Sequence, residues 1–286
     1  MCAETARKKV SLGDLYQKMS KGEMISMLTC YDYPTATFME QAQVDILLVG
    51  DSLGMTVLGY DSTLPVTMEM MIPHAQAVRR GSPNAWLVGD MPYMTYQPST
   101  ESAIRNAGRF MAEAACDCVK LEGGLEMVER VQGIVRSGIP VMGHLGLTPQ
   151  SASALGGFRV QGRSAAQAKQ IVDAAKALED AGVFAILLEM VPNRVCQLIT
   201  ERSGVPIISL GSGPHAHGQL LIFHDMFGLY PKFTPKMAKV YGNAGEVIVN
   251  GLKAYVADVT SKRFPQPENW FNMKDEQFEE LKKLLS

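Results

Sequence analysis

Residues 47–54 read LLVGDSLG, and the segment Gly50-Asp51-Ser52-Leu53-Gly54 is compatible with two chemistries. Its G-x-S-x-G spacing matches a nucleophile elbow, which exposes a serine at a sharp turn from strand into helix. The same letters deliver an aspartate to the end of an apolar strand. The run from Gly54 to Val66 is rich in glycine, proline and β-branched residues and reads as a loop, whereas an elbow needs a helix there. Leu87-Val88-Gly89-Asp90 repeats Leu48-Val49-Gly50-Asp51 with Met91 in place of the serine, so what the two strand ends share is aspartate. Asp51, not Ser52, is therefore the expected centre of the chemistry.

Glu122 closes the next apolar strand, and with Asp51 and Asp90 it makes an all-oxygen cluster suited to a hard cation such as Mg²⁺. Each carboxylate could instead cap a βα loop. Three on consecutive strand ends favour a metal, with Asp51 and Asp90 as direct ligands and Glu122 acting through water. Lys120 alternates with Glu122 and shares its face, where it can hold an anionic substrate as a point charge or form an internal salt bridge with Glu122 or Asp90. Glu189 ends the run Ala185-Ile186-Leu187-Leu188 beside Met190 and Val191. An apolar setting disfavours its charged form and suits a general base, although a structural carboxylate bonded to loop amides fits as well. His144, in Gly143-His144-Leu145-Gly146, either lines a substrate pocket or bridges loops, and His74 reads as structural. Gly211-Ser212-Gly213-Pro214-His215-Ala216 is a weak match to a dinucleotide fingerprint, because it follows a seventh strand instead of opening a Rossmann unit.

These residues need a scaffold that gathers strand ends. Short apolar runs alternate with amphipathic stretches, the pattern of repeated βα units. Strands are expected at Ile25 to Thr29, Asp45 to Gly50, Trp86 to Gly89, Cys118 to Leu121, Pro140 to Gly143, Ala185 to Leu188, Pro206 to Leu210 and Leu220 to Phe223. Helices are expected at Pro98 to Ala115, Leu125 to Ser137, Ser164 to Gly182 and Asn193 to Arg202, with Gly138 and Gly182 at helix C-termini. Eight such strands predict a (β/α)8 TIM barrel spanning residues 1–286 as one domain, with a short N-terminal helical lead-in and a C-terminal helical extension. Polar residues gather at the strand ends, from Tyr31-Asp32 after the first to His224-Asp225 after the eighth, and in a barrel those ends share one rim. Lys274 to Leu285 reads as an extra amphipathic helix packed outside the barrel or against a neighbouring subunit.

A net charge of −2 gives no footprint for nucleic acid, and Arg7-Lys8-Lys9 reads as a solvated tail. Apolar runs are of strand length, too short to span a bilayer, and Met1-Cys2-Ala3-Glu4 does not open a signal peptide, so a cytoplasmic location is expected. The five cysteines lack paired metal-site spacing and read as reduced packing residues.

Several stretches resemble the ketopantoate hydroxymethyltransferase family: Asp51 to Met55, Asp61 to Thr67, Val78 to Gly81, Val119 to Gly124, Gly143 to Ser151 and Val160 to Arg163, in order between about Tyr31 and Asp225. The resemblance implies a barrel of the phosphoenolpyruvate/pyruvate superfamily, Mg²⁺ dependence, a role in pantothenate biosynthesis and a homo-oligomer, typically a decamer. It implies that Asp51 and Asp90 ligate the metal with support from Glu122, that Ser52 and Lys120 hold a 2-oxo acid, and that Glu189 is the base. The one-carbon donor it implies is 5,10-methylenetetrahydrofolate. The sequence departs from the family pattern at His217, where an acidic residue is usual, and at Glu268-Asn269-Trp270-Phe271. The rival readings are a lyase or mutase acting on another 2-oxo acid, and a non-catalytic oxo-acid binding protein whose turnover is lost through the changed loop at His217.

Overall fold

The computed structural model describes residues 7–286. The expectations for Cys2 and for Met1 to Glu4 lie outside the described residues. The chain runs α1 (Leu12–Lys21), β1 (Ile25–Thr29), α2 (Tyr33–Gln41), β2 (Ile46–Val49), α3 (Leu53–Thr56), α4 (Met68–Gly81), β3 (Trp86–Asp90), α5 (Thr100–Ala114), β4 (Cys118–Glu122), α6 (Val128–Arg136), β5 (Val141–Gly146), α7 (Ala165–Asp180), β6 (Ala185–Glu189), α8 (Asn193–Thr200), β7 (Ile207–Leu210), β8 (Gly218–Leu221), α9 (Phe223–Met226), α10 (Ala244–Thr260) and α11 (Asp275–Leu284). The strands are parallel and close in sequence order, with β8 pairing β1.

Strand parity divides the core. Ile46, Leu48, Trp86, Val88, Cys118, Met142, Ala185, Leu187 and Ile208 fill the barrel interior, and Leu15 of α1 packs with them. Their alternates, including Leu47, Val49, Leu87, Val119, Leu121, Val141, Ile186 and Ile207, pack outward against the helices. Both faces are therefore dry, which is why the strands read as unbroken apolar runs. At Gly89 the contact is so close that an added Cβ would run into the Phe110 ring of α5. Side chains start most of the helices: Asp32 caps α2, Thr67 α4 and Ser99 α5, while Ser164 forms a capping box on α7.

Several sequence expectations need correction. Arg7-Lys8-Lys9 is not a free tail: the Arg7 guanidinium donates to the Val44 carbonyl at 2.6 Å and Lys9 pairs with Asp117 at 2.6 Å. These partners stand near strand beginnings, so the segment is tied to the barrel's lower face. β5 runs on to Gly146, which puts His144 within the strand. The loop expected from Gly54 to Val66 is present over residues 57–66, but it begins one turn late: Leu53–Thr56 form the short helix α3, with Leu53 and Gly54 buried despite the poor helix propensity of Gly54 and Thr56. No helix separates β7 from β8; residues 211–217 run from the upper rim straight back to the lower one. Finally, residues 261–286, with α11, are exposed throughout, so of the two placements expected for Lys274 to Leu285 the one against the barrel is not seen.

Candidate active site

Interior parity continues upward into charge. Asp90 follows Trp86 and Val88 on β3, Lys120 and Glu122 follow Cys118 on β4, His144 follows Met142 on β5, and Glu189 follows Ala185 and Leu187 on β6. All five side chains thus point inward at the C-terminal end of the barrel, the end where this fold builds its sites. With Asp51 and Ser52 they line one cavity of about 330 Å³, which also has apolar walls from Leu48, Leu187 and Leu210.

The register pairs Asp90 with Lys120 and Glu122 with His144. Lys120 Nζ lies 2.5 Å from Asp90 Oδ1 and 3.9 Å from Glu122 Oε1. The second Asp90 oxygen accepts the Asp51 backbone N–H at 3.0 Å. Gln150 joins the two ends of the cluster: its side-chain amide donates to Asp51 Oδ2 at 2.8 Å and its backbone N–H to Glu122 Oε2 at 3.0 Å. Tyr96 holds Gln150 in turn through a 2.7 Å bond to Oε1. Gln150 and Tyr96 received no role from the sequence. Gln150 falls inside the motif Gly143 to Ser151, which was the available signal.

Burial sets the protonation states. It pushes the Asp51 carboxyl well above its usual value, and the neighbouring Asp90 and Glu122 charges add to the effect. Burial likewise raises Glu122, against the opposing pull of Lys120. For Lys120 burial works downward, but Asp90, Glu122 and Asp51 outweigh it and keep the ammonium charged. On the other wall, burial raises Glu189 and lowers His144, leaving a neutral imidazole. His144 Nε2 is 3.2 Å from Glu189 Oε2 and Nδ1 is 3.4 Å from Glu122 Oε1, yet neither contact has hydrogen-bond alignment.

The donor chemistry fits Mg²⁺: the oxygens are hard, and Glu122 Oε1 is buried without a hydrogen-bond partner. Among the described residues, however, no three His, Cys, Asp or Glu side chains converge as a ready metal cage. Lys120 stands between the carboxylates and neutralises them. Mg²⁺ does not require a cage, since it typically uses one or two carboxylates and completes its shell with water and substrate oxygens.

Ser52 has no histidine partner; its Oγ meets the Tyr31 hydroxyl at 2.8 Å. A serine nucleophile would need a base there, so the elbow fails on geometry even though a helix follows. His74 accepts no chemistry: Nδ1 lies 2.6 Å from the Tyr31 carbonyl oxygen and steadies that strand end. Glu189 is positioned by Gly146, whose φ of +94° lets β5 turn so tightly that any Cβ would meet the Glu189 carbonyl oxygen. In the Gly211 to Ala216 loop, Ser212 Oγ donates to Leu188 O at 2.8 Å and accepts from Val191 N–H at 3.0 Å, so the loop braces β6. His217 sits below, before β8, where Nδ1 accepts the Ile207 N–H at 3.0 Å. That departure from the family pattern lies at the opposite end of the barrel from the cavity and cannot change the loop chemistry attributed to it.

The fold is a closed (β/α)8 barrel, the fold also found in solved members of the phosphoenolpyruvate mutase/isocitrate lyase superfamily. A solved 2,3-dimethylmalate lyase of that superfamily superposes with a TM-score of 0.55 at 14% identity, covering 93% of this chain and 92% of that one. Phosphonopyruvate hydrolase superposes with a TM-score of 0.57 at 14% identity, covering 96% and 98%. Within this class of barrels, the chain belongs to the ketopantoate hydroxymethyltransferase family, whose profile matches residues 9–267. It is 50% identical over 278 residues to the 3-methyl-2-oxobutanoate hydroxymethyltransferase of Alkaliphilus metalliredigens, covering 97% of this chain and 98% of the relative. The enzyme of the same name from Carboxydothermus hydrogenoformans is 49% identical, covering 96% and 99%. The protein is thus an enzyme of the hydroxymethyltransferase class. No helix among the described residues is long and apolar enough to cross a membrane.

Proposed function

We propose that the protein moves a hydroxymethyl group from 5,10-methylenetetrahydrofolate to 3-methyl-2-oxobutanoate, giving 2-dehydropantoate and tetrahydrofolate, with Mg²⁺ held by Asp51 and Asp90 and supported by Glu122. The observation that carries this reading is that Glu189, a buried carboxylate with a raised pKa, opens onto the same cavity as the Asp51, Asp90 and Lys120 cluster. A base thereby faces an anion-binding corner across a space sized for a small oxo acid. The Lys120 ammonium binds the substrate carboxylate, and the Ser52 hydroxyl, fixed by Tyr31, orients it. Glu189 takes the C3 proton, while neutral His144 stands beside it and adds no competing charge. The metal, when bound, supplies the Lewis acid that polarises the keto group and acidifies C3–H. Leu48, Leu187 and Leu210 keep bulk water from the resulting enolate. The phosphonopyruvate hydrolase neighbour is described with oxalate and Mg²⁺, a small carboxylate and a hard cation of the kind invoked here.

The test is hydrogen exchange. Protein, Mg²⁺ and 3-methyl-2-oxobutanoate in deuterated water should exchange C3–H without folate, and adding 5,10-methylenetetrahydrofolate should give 2-dehydropantoate. No exchange and no product would refute the reading.

The same reading includes self-association and a cytoplasmic setting. α10 exposes Val247, Ile248, Val249, Leu252, Tyr255, Val256 and Val259, with Val247 at 72% and Leu252 at 58% exposure. So much apolar surface on one helix fits burial against further copies of the chain.

A further inference from the structure

Six carboxylates are buried among the described residues: Asp45, Asp51, Asp90, Glu122, Glu189 and Asp225. Five have polar neighbours. Asp45 takes Lys18 and the Ser26 hydroxyl, Asp51 takes Gln150, Asp90 takes Lys120, Glu122 takes the Gln150 N–H, and Glu189 faces His144. Asp225 is 7% exposed and no described side chain bonds or pairs with its carboxylate. It stands in α9, just past β8, and lines the reaction cavity together with Thr29, Ser52 and Ile222. Because the strands close in sequence order, the β8–β1 edge lies across the barrel from β4 and β5. An unpaired carboxyl therefore faces the charged wall from the apolar side. Burial without a partner raises its pKa to about 6, so both its forms are accessible near neutrality.

We propose that Asp225 is a second acid–base catalyst of this site, acting on the one-carbon donor while Glu189 acts on the oxo acid. The inference rests on the transferase reading above. The proton inventory calls for such a group. C3 has one hydrogen, which Glu189 removes, and after C–C bond formation it has none. An adduct still carrying a C–N bond on the transferred carbon could not expel the amine by β-elimination, and displacement by water beside a quaternary carbon is crowded. Oxygen must therefore reach the carbon before the C–C bond forms.

Protonated Asp225 gives its proton to N10 as that C–N bond breaks, leaving an iminium at N5. Water adds to the iminium carbon and its proton goes to the Asp225 carboxylate. Asp225 next protonates N5 and accepts the hydroxyl proton as the second C–N bond breaks, releasing tetrahydrofolate and a formaldehyde molecule. The enolate electron pair then forms the C–C bond, the carbonyl π pair moves to oxygen, and Asp225 protonates that oxygen. One water is consumed. The proton left on Glu189 replaces the one lost by Asp225 through solvent, which restores both groups.

Asp225→Asn tests this. Exchange of C3–H in deuterated water with Mg²⁺ should stay within about twofold of the parent, and folate-dependent turnover should fall by about 10²- to 10⁴-fold, the usual contribution of a general acid–base group. Turnover within a few-fold of the parent would overturn the assignment. So would a parallel loss of exchange and turnover, which would mark Asp225 as structural. If the parent protein itself neither exchanges nor turns over, it is the transferase reading that fails.

Discussion

His144 Nε2 lies 3.2 Å from Glu189 Oε2, with both side chains buried and neither held in a well-aligned hydrogen bond. Burial, seconded by the Glu122 charge at the carboxyl and the Lys120 charge at the imidazole, drives them to opposite outcomes, a carboxyl whose pKa rises and an imidazole whose pKa falls. Groups whose environments push their titrations this way are typical of acid–base sites. Glu189→Gln keeps the shape and removes the base. Both C3–H exchange and folate-dependent turnover should fall by about 10²- to 10⁴-fold, while oxo-acid binding measured by calorimetry with Mg²⁺ should change little. Exchange that survives while turnover drops would move the base elsewhere, to His144 first.

Asp51→Ala and Asp90→Ala should both abolish Mg²⁺-dependent turnover, but with different effects on stability. Asp90 is the close partner of buried Lys120. Removing one member of a buried pair typically costs about 3–5 kcal/mol, so Asp90→Ala should unfold at clearly lower denaturant than Asp51→Ala. Equal midpoints would show that Lys120 finds another partner.

Glu122 has its pKa pushed up to about 7 by burial, above its usual 4.5. A raised carboxyl holds its proton in the metal-free protein below that pH, and a metal ligand must be ionised. Mg²⁺ affinity should therefore climb as pH rises through about 7, and Asp51, whose carboxyl burial raises in the same sense, adds to the climb. Calorimetry in buffers of differing ionisation enthalpy should detect more proton release at about pH 6 than at about pH 8.5. The metal-free protein, by the same shift, should lose stability as pH rises from the ordinary carboxylate value through about 7.

Ser52→Ala removes the hydroxyl that meets Tyr31 and leaves every charged group in place. KM for the oxo acid should rise, with measurable turnover remaining. Loss of nearly all activity would revive a serine nucleophile.

Leu252→Asp on α10 places a charge among exposed apolar neighbours. Sedimentation should report smaller species than the parent protein forms. An unchanged distribution would remove α10 from the proposed interface.

Much of the barrel was legible because parallel strands covered on both faces must be apolar throughout, and short unbroken apolar runs between amphipathic stretches are the imprint such strands leave. Strand ends were readable where a charge broke such a run, as at Asp90 and Glu189. They were misplaced where a polar residue kept interior parity, as His144 does within β5. The cluster from Asp51 to Glu189 could be named from the sequence, and strand alternation anticipated the Lys120 salt bridge to Asp90 and Glu122, but the link to Asp51 could not be read. Gln150 bridges Asp51 and Glu122 across 99 and 28 positions, and no local spacing encodes that. Arg7 looked like tail because its partner is a carbonyl that only folding brings near. The helix after Ser52 escaped notice because propensity is a weak prior against packing.

Gly146 carries a lesson for reading relatives of this chain. It holds no charge, touches no reacting atom and would be absent from any inventory of functional groups. A side chain there would displace the backbone of Glu189 while every acid, base and ligand kept its identity. A homologue could thus match this chain at each chemical residue and still be nearly inert. Inheritance of the activity should be judged by whether that bend is preserved as well as by whether the reactive letters are.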